Sequence, residues 1–115
     1  MDEIKDLHKP FKEYLKKRKI KYSYKNWNNN KREGDEGIPD FVCFLKHGIV
    51  VNIEFKTVEK YNTKLWGLRE KQVEWMDYLT SNNHKYLLTF SFEEAIKFVE
   101  MYMRYKEGDF IGFCK

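Results

Sequence analysis

A chain of 115 residues supports one hydrophobic core and leaves no room for a separate recognition module. Charged residues are 35% and aromatic residues 17% of the chain, which excludes a disordered polymer, and no apolar run approaches a membrane span. Net charge is +4, yet residues 1 to 32 carry eleven Lys or Arg against four Asp or Glu, so the positive charge is concentrated in the first quarter.

In chain order, Ile4, Leu7, Phe11, Tyr14 and Leu15 recur at helical spacing and predict a helix over residues 3 to 18, with Pro10 kinking or splitting it. Ile20 to Asn26 reads as a strand with Ile20, Tyr22 and Tyr24 on one face. The polar, turn-rich stretch from Asn28 to Gly37 reads as a loop placed to close over a substrate. Lys16, Lys17, Arg18, Lys19, Lys21, Lys25, Lys31 and Arg32, interleaved with Tyr22, Tyr24 and Trp27, could track a phosphate backbone. Read alone, the same residues make a solvated helix face and a lysine-rich edge strand.

Pro39 to Leu45 and Ile49 to Thr57 are apolar enough to be buried strands, joined at Lys46-His47-Gly48. Each nonetheless carries an acid, Asp40 or Glu54, and Lys56 follows Glu54 by two positions. Strand alternation places Val50, Asn52, Glu54 and Lys56 on one face. A three-residue loop, with Gly48 left-handed, pairs Leu45 with Ile49 and sets Asp40 opposite Glu54. A two-residue loop would set Asp40 opposite Phe55 and send the acids to opposite faces. The three-residue loop is the preferred reading.

Directly opposed acids have Cβ atoms about 5 Å apart, near enough to share a divalent cation and to repel one another without it. Oxygen ligands select Mg²⁺ or Mn²⁺. Zinc is disfavoured, because His8, His47, His84, Cys43 and Cys114 show none of its paired spacings. Lys56 would orient or help deprotonate a water activated by the ion, or stabilise charge on a pentavalent phosphate, and the chemistry implied is phosphodiester hydrolysis. On an exposed strand these residues would be an ordinary surface pair; the apolar runs around them argue for a site.

Val58 to Gly67 is expected to be a loop, with Trp66 near its end, followed by a helix from Leu68 to about Leu79. Gln72 interrupts that helix's apolar stripe of Leu68, Val73, Trp75, Met76 and Leu79. It either points to the sheet or lies at the stripe's margin, with Lys71 able to reach the same place instead. A strand from Lys85 to Phe90 follows the turn at Ser81-Asn82-Asn83. Ser91 and Glu94 then form a capping box that opens a last helix with Ala95, Ile96, Val99, Tyr102 and Met103 inward. In the tail, Phe110, Ile111 and Phe113 are expected to cover the core or a partner subunit.

Gly37-Ile38-Pro39-Asp40-Phe41, Ile53-Glu54-Phe55-Lys56, and Gln72 followed by Trp75 together resemble the PD-(D/E)XK nuclease superfamily. Within it, the short spacing and the Gly-x-Pro-Asp form resemble the VRR-NUC branch, the virus-type replication-repair nucleases, over roughly residues 2 to 100. The resemblance implies one nuclease domain over residues 1 to 115, with a restriction-endonuclease-like αβββαβα core in which helices flank a mixed central sheet. It implies Mg²⁺ or Mn²⁺ held by Asp40, Glu54 and the Phe55 carbonyl, Lys56 as catalytic lysine, Gln72 in the site and no organic cofactor. An assisting acid on the first helix is implied as well, for which Glu3, Asp6 and Glu13 compete and Glu3 fits best. Branched or junction DNA cut by a homodimer is the implied activity, with Lys71 a further DNA contact; a non-catalytic or partner-dependent DNA-binding accessory of the same fold is the alternative. Two distant cysteines and the start Met1-Asp2-Glu3-Ile4, which is no signal peptide, suggest reduced thiols and the cytoplasm of a bacterial or virus-infected cell.

Overall fold

Proline has no N–H to give, and its ring crowds the carbonyl four residues back, which for Pro10 is that of Asp6. The computed structural model, which describes residues 1–25, 34 and 36–104, takes up this defect in a wide π-type turn over Ile4–His8, with Lys9 N–H reaching back to the Ile4 carbonyl. A regular helix, α1, then runs Lys9–Lys17 with Pro10 in its first turn, where a missing N–H leaves no bond unmade. The wide turn rotates Ile4 off the apolar stripe. Leu7, Phe11 and Leu15 are buried, whereas Ile4, expected inward, is 47% exposed.

Strands β1 (Lys21–Tyr24), β2 (Phe41–Phe44), β3 (Val50–Phe55) and β4 (Lys85–Thr89) form one sheet in that order. The first three are antiparallel and β4 is parallel to β3, so the sheet is mixed. Parallel pairing needs a crossover, and α2 (Val58–Tyr61) and α3 (Glu70–Ser81) supply it before α4 (Phe92–Met103) follows β4. Alternate residues of β2 and β3, namely Phe41, Cys43, Val51, Ile53 and Phe55, pack with Phe11 and Leu15 of α1 and Ala95 and Val99 of α4. The rings of Phe11, Phe41 and Phe55 meet edge to face with centroids 5.0 to 5.8 Å apart, each such pair adding about 1 kcal/mol beyond area burial. Tyr14 donates its hydroxyl hydrogen to the Glu100 carboxylate and Arg18 Nε lies 2.9 Å from the same group, tying α1 to α4. Burial pushes the Cys43 thiol up to about 12, so it packs as an inert apolar group.

The β2–β3 register follows from the turn. Leu45 N–H bonds the Ile49 carbonyl at 2.8 Å around Lys46-His47-Gly48, and Phe41 pairs with Ile53. One step further, Asp40 stands against Glu54, as the three-residue loop requires. His47, at φ 61, shares the left-handed conformation with Gly48 at φ 75. Residues 58–67, expected to be irregular, contain α2, whose first turn is capped by Thr57 Oγ1 accepting from Lys60 N–H at 3.3 Å. A short 3₁₀ turn, Lys64–Gly67, follows and leaves Leu65 and Trp66 exposed. Asn26, Trp27, most of the stretch from Asn28 to Gly37 including Lys31 and Arg32, Cys114 and the tail aromatics Phe110, Ile111 and Phe113 lie outside the described residues. Among the described residues, no helix is long and apolar enough to cross a membrane.

Gly37 sets the approach of the Asp40 segment. Its φ is +83, and a Cβ there would stand 2.4 Å from the carbonyl carbon of Lys71, so only glycine lets this backbone lie against the start of α3. Gly48 is left-handed too, at φ +75, but a Cβ there would meet nothing within 4 Å. Gly48→Ala is therefore expected to destabilise by about 1 to 2 kcal/mol, the left-handed cost alone. Gly37→Ala adds the overlap and should lose about 2 to 4 kcal/mol. Thermal melts of the two variants side by side measure the difference, and equal losses would mean that the contact with α3 is not tight.

Candidate metal centre

Asp40 enters β2 directly after Pro39, and its own carbonyl accepts from Lys25 N–H at 2.9 Å, which fixes the backbone at this end of the sheet. Its Oδ2 accepts from Phe55 N–H at 2.8 Å, reaching across to β3 just where the β2–β3 ladder stops. Glu54, one residue before Phe55, is 2% exposed, and Asp40 is 6% exposed. The Phe55 peptide, whose carbonyl the resemblance implies as a ligand, thus lies between the two acids. Lys56 continues the strand past β3, its N–H bonding the Thr89 carbonyl at 3.0 Å. Its side chain is buried too, with Nζ donating to Gln72 Oε1 at 3.1 Å.

Gln72 holds both ends of this arrangement. It is the third residue of α3, and its Oε1 also accepts from Arg69 N–H at 2.9 Å, so its side chain caps the start of that helix. Its Nε2 lies 3.5 Å from Glu54 Oε2, a long contact. Gln72 is 4% exposed and faces the sheet, whereas Lys71 is exposed and paired with Glu74 at 3.2 Å, so the alternative of Lys71 reaching the same place is corrected.

Two buried carboxylates in contact cannot both ionise cheaply. Burial and the neighbouring Asp40 charge hold the Glu54 carboxyl well above its usual range. Burial works the same way on Asp40, but the close approach of His8, with Glu54 and the Phe55 N–H, outweighs it and holds Asp40 below its usual range. Of the two, Glu54 therefore holds its proton the more tightly. The charges of Glu54 and Asp40 also reach Tyr86 on β4, whose hydroxyl is pushed up mainly by burial and further by them.

The first helix contributes a second group. His8 Nε2 lies 3.1 Å from Glu3 Oε2 and 3.5 Å from Asp40 Oδ2, and Nδ1 is 2.8 Å from the Tyr24 hydroxyl. Burial alone would lower the His8 pKa; Asp40 and Glu3 outweigh it and raise it to about 9. These contacts are close but off line, for Nε2 makes no well-aligned hydrogen bond. One ligand atom from each of Glu3, His8 and Asp40 falls within 4.8 Å of the others. An octahedral ion with bonds of about 2.1 Å sets neighbouring ligands about 3 Å apart and opposed ones about 4.2 Å apart, so the two separations from Nε2 suit neighbouring ligands of one divalent cation. Of the three first-helix acids, Glu3 is the one in this cluster. His8 escaped sequence reasoning. The signal was Pro10, because the wide turn it induces aligns residues five apart, and Glu3 and His8 are so spaced.

The basic residues divide. Lys16, Lys17, Lys19 and Lys21 are exposed at the end of the sheet where Lys21 pairs with Phe44, about four residues or 13 Å along the strands from Asp40. Arg18 is engaged with Glu100. Lys25 adjoins Asp40 through its backbone, while Lys31 and Arg32 lie outside the described residues. No family model, no curated protein and no solved structure matches the chain, so the centre stands on its own geometry.

Proposed function

We propose that this chain is a Mg²⁺- or Mn²⁺-dependent endonuclease acting on DNA, selective for branched molecules. One observation carries the reading: Asp40 and Glu54, buried on adjacent strands, converge at one end of the sheet beside the amine of Lys56. The element order is compatible with it, since a helix, three antiparallel strands, a helical crossover, a parallel fourth strand and a last helix follow one another as the αβββαβα core of the resembled family would require. A bound ion would supply Lewis acidity and an activated water. Asp40, fixed by Phe55 N–H, and Glu54, beside Gln72, would hold that ion with the Phe55 carbonyl and Glu3. Lys56 places a positive charge beside the scissile phosphate, and Gln72 aims it. Exposed Lys60, Lys64 and Arg69 follow Lys56 in the chain and would offer phosphate contacts, with exposed Trp66 between them in sequence as a surface for base stacking. A homodimer would set two centres on opposed strands of a branch, and an intracellular setting suits such a substrate.

Labelled four-way junction, flap, duplex and single-stranded DNA, each with Mn²⁺, Mg²⁺ or chelator, test the proposal on a gel. Branched substrates should be cut only with metal. In calorimetry, Asp40→Asn should weaken Mn²⁺ binding by about tenfold or more. The distance between the Lys16 to Lys21 end and the carboxylates favours a second reading, a DNA-binding accessory, which predicts strongly salt-dependent binding without metal-dependent cutting.

A further inference from the structure

We propose that His8 is itself a ligand of the metal ion, and that its nitrogen, with carboxylate oxygens from Glu3 and Asp40, makes the centre prefer Mn²⁺ to Mg²⁺. The inference rests on the metal-centre reading and deepens it by naming the ion the protein selects. His8 is 2% exposed, and its Nε2 is the one buried side-chain polar atom without an aligned hydrogen bond among the described residues. Buried polar atoms are nearly always bonded in line, so a nitrogen that stands against two carboxylates and is aligned with neither marks a place where a cation can replace its proton.

The other ring nitrogen is anchored as a ligating histidine's should be. Nδ1 is 2.8 Å from the Tyr24 hydroxyl, and the ring stands edge-on to Phe41 with centroids 5.6 Å apart, so Nε2 has a fixed aim. The separations from Nε2 of 3.1 Å to Glu3 and 3.5 Å to Asp40 are near the edge length of about 3 Å expected between neighbouring octahedral ligands. The wide turn that takes up Pro10 also brings Glu3 to within 3.1 Å of His8, so both ligand groups come from the start of one helix. An imidazole in place of an oxygen disfavours Mg²⁺, which prefers oxygen ligands and retained waters, and suits first-row transition ions. Mn²⁺ accepts both donor types and, like Mg²⁺, binds phosphate.

Electron spin-echo spectroscopy of the full chain loaded with Mn²⁺ reads the nitrogen directly. The other two histidines, His47 in the β2–β3 loop and His84 before β4, lie at the opposite end of the sheet, so an imidazole ¹⁴N modulation reports His8. The modulation should appear in the wild type and vanish in His8→Gln. Calorimetry should show Mn²⁺ preferred to Mg²⁺ by tenfold or more, with most of that preference lost in His8→Gln. Tyr24→Phe keeps the ring and frees Nδ1, so the modulation should persist while Mn²⁺ affinity falls about tenfold. Mn²⁺ bound without nitrogen modulation in the wild type overturns the proposal and leaves the nuclease reading standing. Modulation without DNA cleavage supports His8 as a ligand and removes the nuclease reading. No binding of Mn²⁺ overturns both.

Discussion

Lys56→Ala is expected to slow metal-dependent cleavage by about 10² to 10³-fold while leaving the protein folded. The ammonium is buried and its contact is Gln72 Oε1, so it is held for a charge that develops nearby rather than for solvent. Its loss does not orphan Gln72, which keeps the Arg69 N–H and with it the start of α3. The Lys56 charge also lowers the proton affinity of Glu54 and would repel a cation held beside it, so Mn²⁺ affinity as well as rate changes in the variant. Measuring the rate at saturating Mn²⁺ separates the two effects. Lys71→Ala is the control, because that side chain is exposed and paired with Glu74, and it should alter the rate less than threefold. Equal cutting by wild type and Lys56→Ala would leave the proposed chemistry without its cation.

Much of this centre was legible because period-two alternation and turn length together set a register. Once Lys46-His47-Gly48 is a three-residue loop, Asp40 must oppose Glu54, and Lys56 must share the Glu54 face. Gln72 was legible as a polar break in an apolar helical stripe. What escaped depends on backbone irregularity or on which end of the sheet a residue occupies. His8 looked like a lone histidine near an apolar stripe, and only the wide turn forced by Pro10 aligns it with Glu3. The one-turn helix α2 is too short to show periodicity, so only the Thr57 cap could have announced it. The bond from Arg69 N–H back to the Gln72 side chain was hidden because arginine is not a usual N-cap residue. Counting charge in the first quarter gave a basic cluster without its position, and α1 carries Lys16 and Lys17 away from the acids.

The metal-free protein is expected to lose stability as pH rises from 6.5 to 9. His8 is raised from its usual 6.5 to about 9, so across that interval the folded chain holds a proton that the unfolded chain has released. That stabilisation is complete below pH 6.5 and gone above about 9, and the shift corresponds to about 3 kcal/mol. Glu54, also raised, acts in the same sense from pH 4.5 upward, because ionising it beside Asp40 is resisted only in the folded state. Asp40 acts at the other end: its lowered pKa stabilises the fold above pH 3.8 and that contribution is lost as pH falls through the folded value. Stability in chelator should therefore peak on the acid side of neutrality and Tm should fall by about 10 to 20 °C between pH 6.5 and 9. A divalent ion supplies the positive charge that the imidazolium and the Glu54 proton otherwise provide, so saturating Mn²⁺ should flatten the fall, and Mn²⁺ affinity should rise with pH as those protons leave. His8→Gln should flatten the chelator profile as well, having no proton to lose. A Tm in chelator that does not change between pH 6.5 and 9 would mean that the imidazole is uncharged between Glu3 and Asp40, and the electrostatic account of the centre would fall with it.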